Sequence, residues 1–203
     1  MTTLNAETAH PATDGERSGV VAALCAAFVD DRIYRWMVPD DEQRRGSAAK
    51  FYSRFVGACW PHGGVYAAGD GQGAALWLPP GAQLAGDDDA ERFVGDLLAT
   101  CPDEASSQRQ AQVFEMLDDN HPTEAHWYLA FMGVHPSGQG RGIGGALLKA
   151  VLAQADRDGM PAYLEASCPD NQRLYERHGF QTMRELTVAD CPAIYAMWRR
   201  PAG

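Results

Sequence analysis

Apolar residues recur along this chain with two alternating periods, and each change of period marks a predicted boundary between helix and strand. Pro11–Asp14 closes a short first strand, and Asp14 stands where it can cap the helix behind it. In that helix Val20, Leu24, Ala27 and Phe28 fall at i, i+4, i+7 and i+8, one amphipathic stripe. Asp30–Asp40 interrupts the pattern with a break that holds Tyr34 and Trp36 and ends at Pro39. A second helix from about Glu42 to Cys59 gathers Ala48, Phe51, Tyr52, Phe55 and Val56 on one face. Val65–Ala68 and Ala74–Leu78 read as a β-hairpin across Gly69-Asp70-Gly71-Gln72-Gly73, stopped by Pro79-Pro80-Gly81.

Two helices follow, near Ala90–Thr100 and Ser107–Leu117. Ala125–Val134, aromatic and apolar on both faces, predicts a central strand. Ile143, Leu147, Val151 and Ala155 keep helical register over Gly142–Asp156. Ala162–Ala166 is a predicted strand, Asn171–His178 a short helix, and Thr182–Leu186 with Ala193–Arg199 a closing strand pair. Strands and helices alternate at both ends around a hairpin, which predicts an α/β (α+β) class with a central mixed sheet flanked by helices. Residues 1–10 read as a flexible N-terminal tail and 11–203 as one domain.

A chain of 203 residues can bury a sizeable single core. Its 45% hydrophobic and 22% charged residues are globular values and speak against whole-chain disorder. The net charge of −10 repels nucleic-acid phosphates and anionic membrane and attracts cationic ligands. Cys25, Cys59, Cys101, Cys168 and Cys191 are odd in number, widely spaced and never C-x-x-C, so neither a disulfide framework nor a zinc site is predicted. They read as small buried hydrophobes in a reducing compartment. No apolar run approaches the ~20 residues of a membrane span, and Met1–Gly15 lacks the marks of a signal peptide. The expectation is a cytoplasmic protein with no metal and no nucleic-acid or membrane partner; a homodimer stays open.

The run from Val134 to Gly145 lies between a predicted strand and a predicted helix, and Gly140, Gly142, Gly144 and Gly145 crowd six residues of it. A plain turn needs fewer glycines. Such a loop lets a ligand approach the backbone closely, and the helix N-terminus behind it offers free N–H groups to a pyrophosphate. Gly140-x-Gly142-x-x-Gly145, with Glu165 downstream, matches the dinucleotide fingerprint in letters. That motif belongs after the first strand of several βαβ units, whereas this loop begins two-thirds along the chain. A P-loop is also excluded, because no Lys-Ser/Thr follows the last glycine.

Val134-x-Pro136-x-x-Gln139-x-x-Gly142-x-Gly144 resembles the coenzyme-A signature of the GNAT superfamily of acetyltransferases, and Asn171-x-x-x-Tyr175-x-x-x-Gly179-Phe180 resembles a second GNAT segment. Ala75-Leu76-Trp77-Leu78-Pro79-Pro80-Gly81, His126-Trp127-Tyr128-Leu129 and Glu165-x-Ser167 are similar to the branch that contains the puromycin N-acetyltransferases. The short spacing from Asn171 to Tyr175 fits that branch. The resemblance covers nearly all of the chain from Pro11 on. It implies one GNAT domain whose splayed strand pair binds acetyl-CoA, and transfer of an acetyl group to the amine of a small molecule in a ternary complex. Gln139, Gly140, Arg141, Gly142, Ile143, Gly144 and Gly145 would cradle the pyrophosphate. Met132, Gly133 and Val134 would pair with the pantetheine arm at a bulge that Gly133 suits, and Asn171 would touch the arm.

The chemistry sets three requirements. An alkyl ammonium with a pKa near ~10.4 is neutral in only about one molecule in 10³ at pH 7, so a base must help, and Glu165 is the candidate. Charge on the carbonyl oxygen needs a donor, such as a backbone N–H near Met132–Val134. The departing thiolate needs an acid, and Tyr175 occupies the superfamily's position for it. Ser167 is a candidate to orient Glu165, Asn171 or a water. Tyr34, Trp36, Trp127 and Tyr128 are candidates for the acceptor side, since rings bind flat groups and cations, and His126 shares the strand face of Tyr128 there. Acetylation of a protein N-terminus or lysine, and a non-catalytic CoA-binding regulator, are the rival readings.

Overall fold

A computed structural model describes residues 8–202 of the chain, so most of the expected tail, residues 1–7, lies outside the described residues. Seven strands form one sheet in the order β1-β2-β3-β4-β5-β7-β6. They are β1 (His10–Pro11), β2 (Val65–Ala68), β3 (Gly73–Leu78), β4 (Trp127–Val134), β5 (Ala162–Ala166), β6 (Gln181–Leu186) and β7 (Ile194–Arg199). Strands β4 and β5 pair in parallel and the other neighbours antiparallel, so the sheet is mixed, as expected. The helices are α1 (Arg17–Phe28), α2 (Arg32–Met37), α3 (Asp41–Cys59), α4 (Ala90–Leu98), α5 (Glu104–Asp119), α6 (Ile143–Arg157) and α7 (Pro169–Glu176).

Two expectations need correction at the N-terminal end. The helix start is organised by Thr13 rather than Asp14: the Thr13 N–H and hydroxyl donate to the Glu16 carboxylate at 2.8 and 2.7 Å. Asp14 instead accepts the Trp60 indole N–H at 3.1 Å. The break at Asp30–Asp40 contains the short helix α2, whose N-terminal amides at Ile33 and Tyr34 donate to the Asp31 carboxylate at 2.8 and 3.3 Å.

The sheet is covered on both sides. Leu76, Leu78 and Tyr163 face a core built on α1, α2 and α3, where Phe51, Tyr52, Phe55 and Phe131 interlock. Ala75, Trp77, Leu129, Leu164 and Met197 face the stripe Leu147, Leu148 and Val151 of α6. Each large aliphatic side chain among them contributes roughly 1.5–3 kcal/mol by leaving water. Every residue of β3 is buried, as an apolar run covered on both faces requires. Arg199 on β7 clasps Asp156 near the end of α6 with two bonds of 2.7 and 2.8 Å.

Strand β4 changes phase midway. Trp127 and Leu129 face α6 and Tyr128 and Ala130 face the opposite core, but Phe131 joins Ala130 on that side before Met132 and Val134 return to the α6 side. The register with β3 passes from Leu129 to Phe131 and skips Ala130. This is a β-bulge. It sits at Ala130, not at Gly133 as the sequence suggested. Gly133 is small for another reason, since a Cβ there would lie 2.6 Å from the Ala27 Cβ of α1. The pairing of β4 with β5 stops at Leu129 and Leu164, so the rest of β4 continues without β5 beside it.

Candidate active site

Beyond Val134 the chain turns through Pro136–Gly138, and the Ser137 N–H donates to His135 Nδ1 at 3.2 Å. The Gln139 amide reaches back to the Val134 carbonyl at 3.3 Å, and Arg141 donates to the Gln72 side chain at 2.8 Å. The glycines divide the work. Gly140 and Gly142 adopt φ of +74° and +83°, angles that side-chain-bearing residues rarely adopt, and no atom lies within 4 Å of where their Cβ would be. At Gly144 and Gly145 a Cβ would meet Leu174 at 3.5 Å and His178 at 3.4 Å, ordinary van der Waals contact with α7 and its C-terminal turn. The first helical bond of α6 runs from the Ala146 N–H to the Gly142 carbonyl at 3.0 Å, which leaves the amides of Ile143, Gly144 and Gly145 at the open end of the helix. A bare, positively biased cradle of this kind suits a pyrophosphate.

Glu165 occupies β5 just where β4 and β5 part. Its side chain is 7% exposed. Oε2 accepts the Tyr128 hydroxyl at 2.9 Å, while Oε1 is buried with no hydrogen-bond partner among the described residues. His121 Nδ1 lies 3.9 Å from Oε1. The His121 ring stands 4.7 Å from that of Tyr128, 5.0 Å from His126 and 5.1 Å from Tyr163. Burial, then the Glu165 charge, pushes both the Tyr128 and Tyr163 phenols above their ordinary range. Burial likewise lowers the His126 imidazole, favouring its neutral form.

Tyr175 lies on the other side of the sheet. It is 7% exposed, packs edge-on to Phe180 at 5.9 Å, and belongs to the core under α6. Burial, with the Cys168 thiol and the Asp31 carboxylate nearby, raises its phenol and keeps it protonated. Ser167 donates to Asp31 Oδ2 at 2.6 Å and accepts the Asn171 amide at 3.3 Å. It therefore links α2 to α7 rather than orienting Glu165.

The acceptor candidates separate. Tyr34 is 3% exposed, its ring stacked on Phe51 at 5.5 Å and its hydroxyl 3.3 Å from Ser47 Oγ; it is a core residue and cannot line a pocket. Trp36 lies on α2, half-buried, and its indole N–H donates to Asp190 at 3.0 Å. His126 is buried, with Nδ1 2.6 Å from the Glu124 carbonyl, and it stands with Tyr128 in the ring cluster beside Glu165. His121 and Tyr163 were not singled out in the sequence. A histidine in a polar loop and a tyrosine in an apolar strand carry no local mark of a shared carboxylate. Burial pushes the Cys59 thiol up to about 12 and that of Cys191 to about 11, in keeping with packing roles. Among the described residues no helix is long and apolar enough to cross a membrane.

Residues 96–182 match the family model of the acetyltransferase (GNAT) domain. The chain is 29% identical over 180 residues to an uncharacterized N-acetyltransferase of Schizosaccharomyces pombe, covering 78% of this chain and 68% of that protein. A Corynebacterium glutamicum structure described as a histone acetyltransferase and related acetyltransferase superposes with a TM-score of 0.71 at 25% identity, over 97% of both chains. An arylalkylamine N-acetyltransferase from Aedes aegypti shares the fold at a TM-score of 0.61 and 16% identity, over 96% of this chain and 98% of that one. Over residues 96–182 the chain is thus similar to GNAT acetyltransferase domains, and the relatives it matches are described as acetyltransferases. The cosubstrate of that family is acetyl-CoA.

Proposed function

We propose that the protein transfers the acetyl group of acetyl-CoA to an amine of a small molecule, by direct attack within a ternary complex. One observation carries the reading: a buried carboxylate with an unpartnered oxygen, Glu165, stands where β4 and β5 separate, while a buried phenol, Tyr175, stands on the opposite face. Acid and base are thus separated by the sheet, each on one side of the gap. Gln139–Gly145 would hold the pyrophosphate, the unpaired edge at Met132–Val134 the pantetheine arm, and Asn171 would touch that arm.

Acetyl-CoA supplies the activated acyl thioester. Glu165 Oε1 takes a proton from the acceptor ammonium, directly or through one water, and frees the nitrogen lone pair for attack. A backbone N–H of the β4 edge stabilises the developing oxyanion. Tyr175 gives its phenolic proton to the departing sulfur. The nitrogen sheds two protons in all; one leaves through Glu165, and the equivalent of the other reaches the sulfur through Tyr175.

The acceptor we assign is a cationic small molecule with an aromatic or flat apolar group. The net charge of −10, the rings of Tyr128 and Trp36 and the resemblance to the puromycin-type branch support it. A second reading, acetylation of a protein amine, draws on the histone acetyltransferase name of the Corynebacterium structure. Thiol release from acetyl-CoA, measured with puromycin, an aromatic monoamine, a linear polyamine, an aminoglycoside and a lysine peptide, decides between them. Preference for either of the first two supports the small aromatic amine, and activity on the peptide alone refutes it.

A further inference from the structure

We propose that His121 conducts the acceptor's proton from Glu165 to solvent. The inference rests on Glu165 as the base and asks how a buried carboxylate is reset between turnovers. Oε2 is engaged by Tyr128, so a proton taken up resides on Oε1, which has neither a hydrogen-bond partner among the described residues nor exposed surface. The Tyr163 hydroxyl interacts with the same carboxylate but is buried and leads nowhere, whereas His121 Nδ1 lies 3.9 Å from Oε1, a gap that closes with a small shift or a single bridging water, and the His121 side chain is 33% exposed. The imidazole therefore touches both the buried base and bulk water, and it can accept a proton on one side and release one on the other.

The transfer balances. The Oε1–H bond breaks, the electron pair stays on the carboxylate, Nδ1 gains the proton, and the imidazolium then loses a proton to water or buffer. The groups packed round His121 suit this traffic. Tyr128 and Tyr163 are held as neutral phenols by burial, and His126 is shifted toward its neutral form, with its Nδ1 against the Glu124 carbonyl. Glu165 is the carboxylate facing the ring, and Arg184 lies further off, holding Asn120 beside His121 at 3.1 Å. The chain positions His121 by turning at Asn120, whose amide donates to the Met116 carbonyl at 2.8 Å as α5 ends.

The test is buffer rescue. With the best amine of the panel, His121→Ala should lower kcat by roughly tenfold while the KM for acetyl-CoA stays the same, and added imidazole should restore the rate in a saturable way. His121→Gln, which keeps the shape but does not titrate, should be equally slow. Parental kcat in His121→Gln, or loss in His121→Ala that no buffer restores, would overturn the relay and leave His121 a packing residue. Glu165→Gln, measured alongside, separates the two ideas. If it is slow while both His121 variants are normal, the base stands and the relay falls. If it keeps parental activity, the base assignment itself fails and the relay falls with it. Calorimetry with CoA confirms that each variant is folded.

Discussion

Tyr128 and Glu165, on neighbouring parallel strands, are joined by a bond of 2.9 Å from the phenol to the carboxylate, at the last rungs before those strands part. The bond leaves one carboxylate oxygen held and the other without a partner among the described residues, and it anchors Glu165 to β4 as well as β5. If Glu165 is the base, as proposed, a carboxylate fixed in this way would act through a single oxygen with little freedom to swing.

Removing the clamp while sparing the base should be measurable. Tyr128→Phe is expected to lower kcat/KM by about tenfold through loss of orientation, and Glu165→Gln by about 10²-fold. Parental kcat/KM in Glu165→Gln would assign the proton transfer to another group.

On the opposite face, Tyr175→Phe keeps the ring that packs against Phe180 and deletes only the acidic proton. The expected result is a kcat lowered by about 10²-fold with acetyl-CoA affinity within a few-fold of the parent. Equal kcat would reduce Tyr175 to a core residue.

A loop glycine and a strand glycine should fail differently. Gly142→Val forces a β-branched residue to φ near +83° and fills the open cradle, so calorimetry should show no acetyl-CoA binding by the folded variant. Gly133→Ala, far from open space, should instead lower the melting temperature, because overpacking against Ala27 costs about 1–3 kcal/mol. Unchanged affinity in Gly142→Val would sink the assignment of the loop.

Acid stability offers an independent check on the N-terminal cap. The Thr13 N–H, then His10 and the Thr13 hydroxyl, hold the Glu16 carboxyl at about 2. A folded pKa below the unfolded one, ~4.3, contributes stability that is present above the unfolded value and is lost as pH falls toward about 2. The urea midpoint should therefore drop over that window, and Glu16→Gln should flatten the drop. An unaltered pH slope in the variant would mean that other carboxylates govern it.

For the acceptor, Trp36→Ala should raise the KM for an aromatic amine by a few-fold and leave the KM for acetyl-CoA alone. No change would place the indole outside the acceptor pocket, as a partner of Asp190 alone.

Much of the fold was legible because its signals are local. The hairpin β2–β3, the long helix α3 and the loop into α6 announce themselves through period, turn residues and glycine density. The helix α2 was not. Its six residues show no full amphipathic repeat, and its flanks are held by Arg44 from α3, which donates to the carbonyls of Val29 at 2.6 Å, Val38 at 2.9 Å and Pro39 at 3.0 Å. The bulge was expected at Gly133 because glycine favours irregular backbone. It formed at Ala130, where the mismatch between the faces of β4 is resolved by packing against β3.

The glycine loop and the candidate acid were legible in the sequence, since the glycine density around Gly140 and Gly142 and the resemblance carried by the spacing from Tyr175 to Gly179-Phe180 are properties of short segments. The surroundings of Glu165 do not. Tyr128 and His121 lie far from it in the chain, and they reach the carboxylate only because parallel pairing sets β4 beside β5 and the turn after α5 folds over the same face. The same packing buries Tyr34 and leaves Trp36 at the rim, a division between neighbours that no pattern of residue types carries, because it depends on which side of a short helix meets the core.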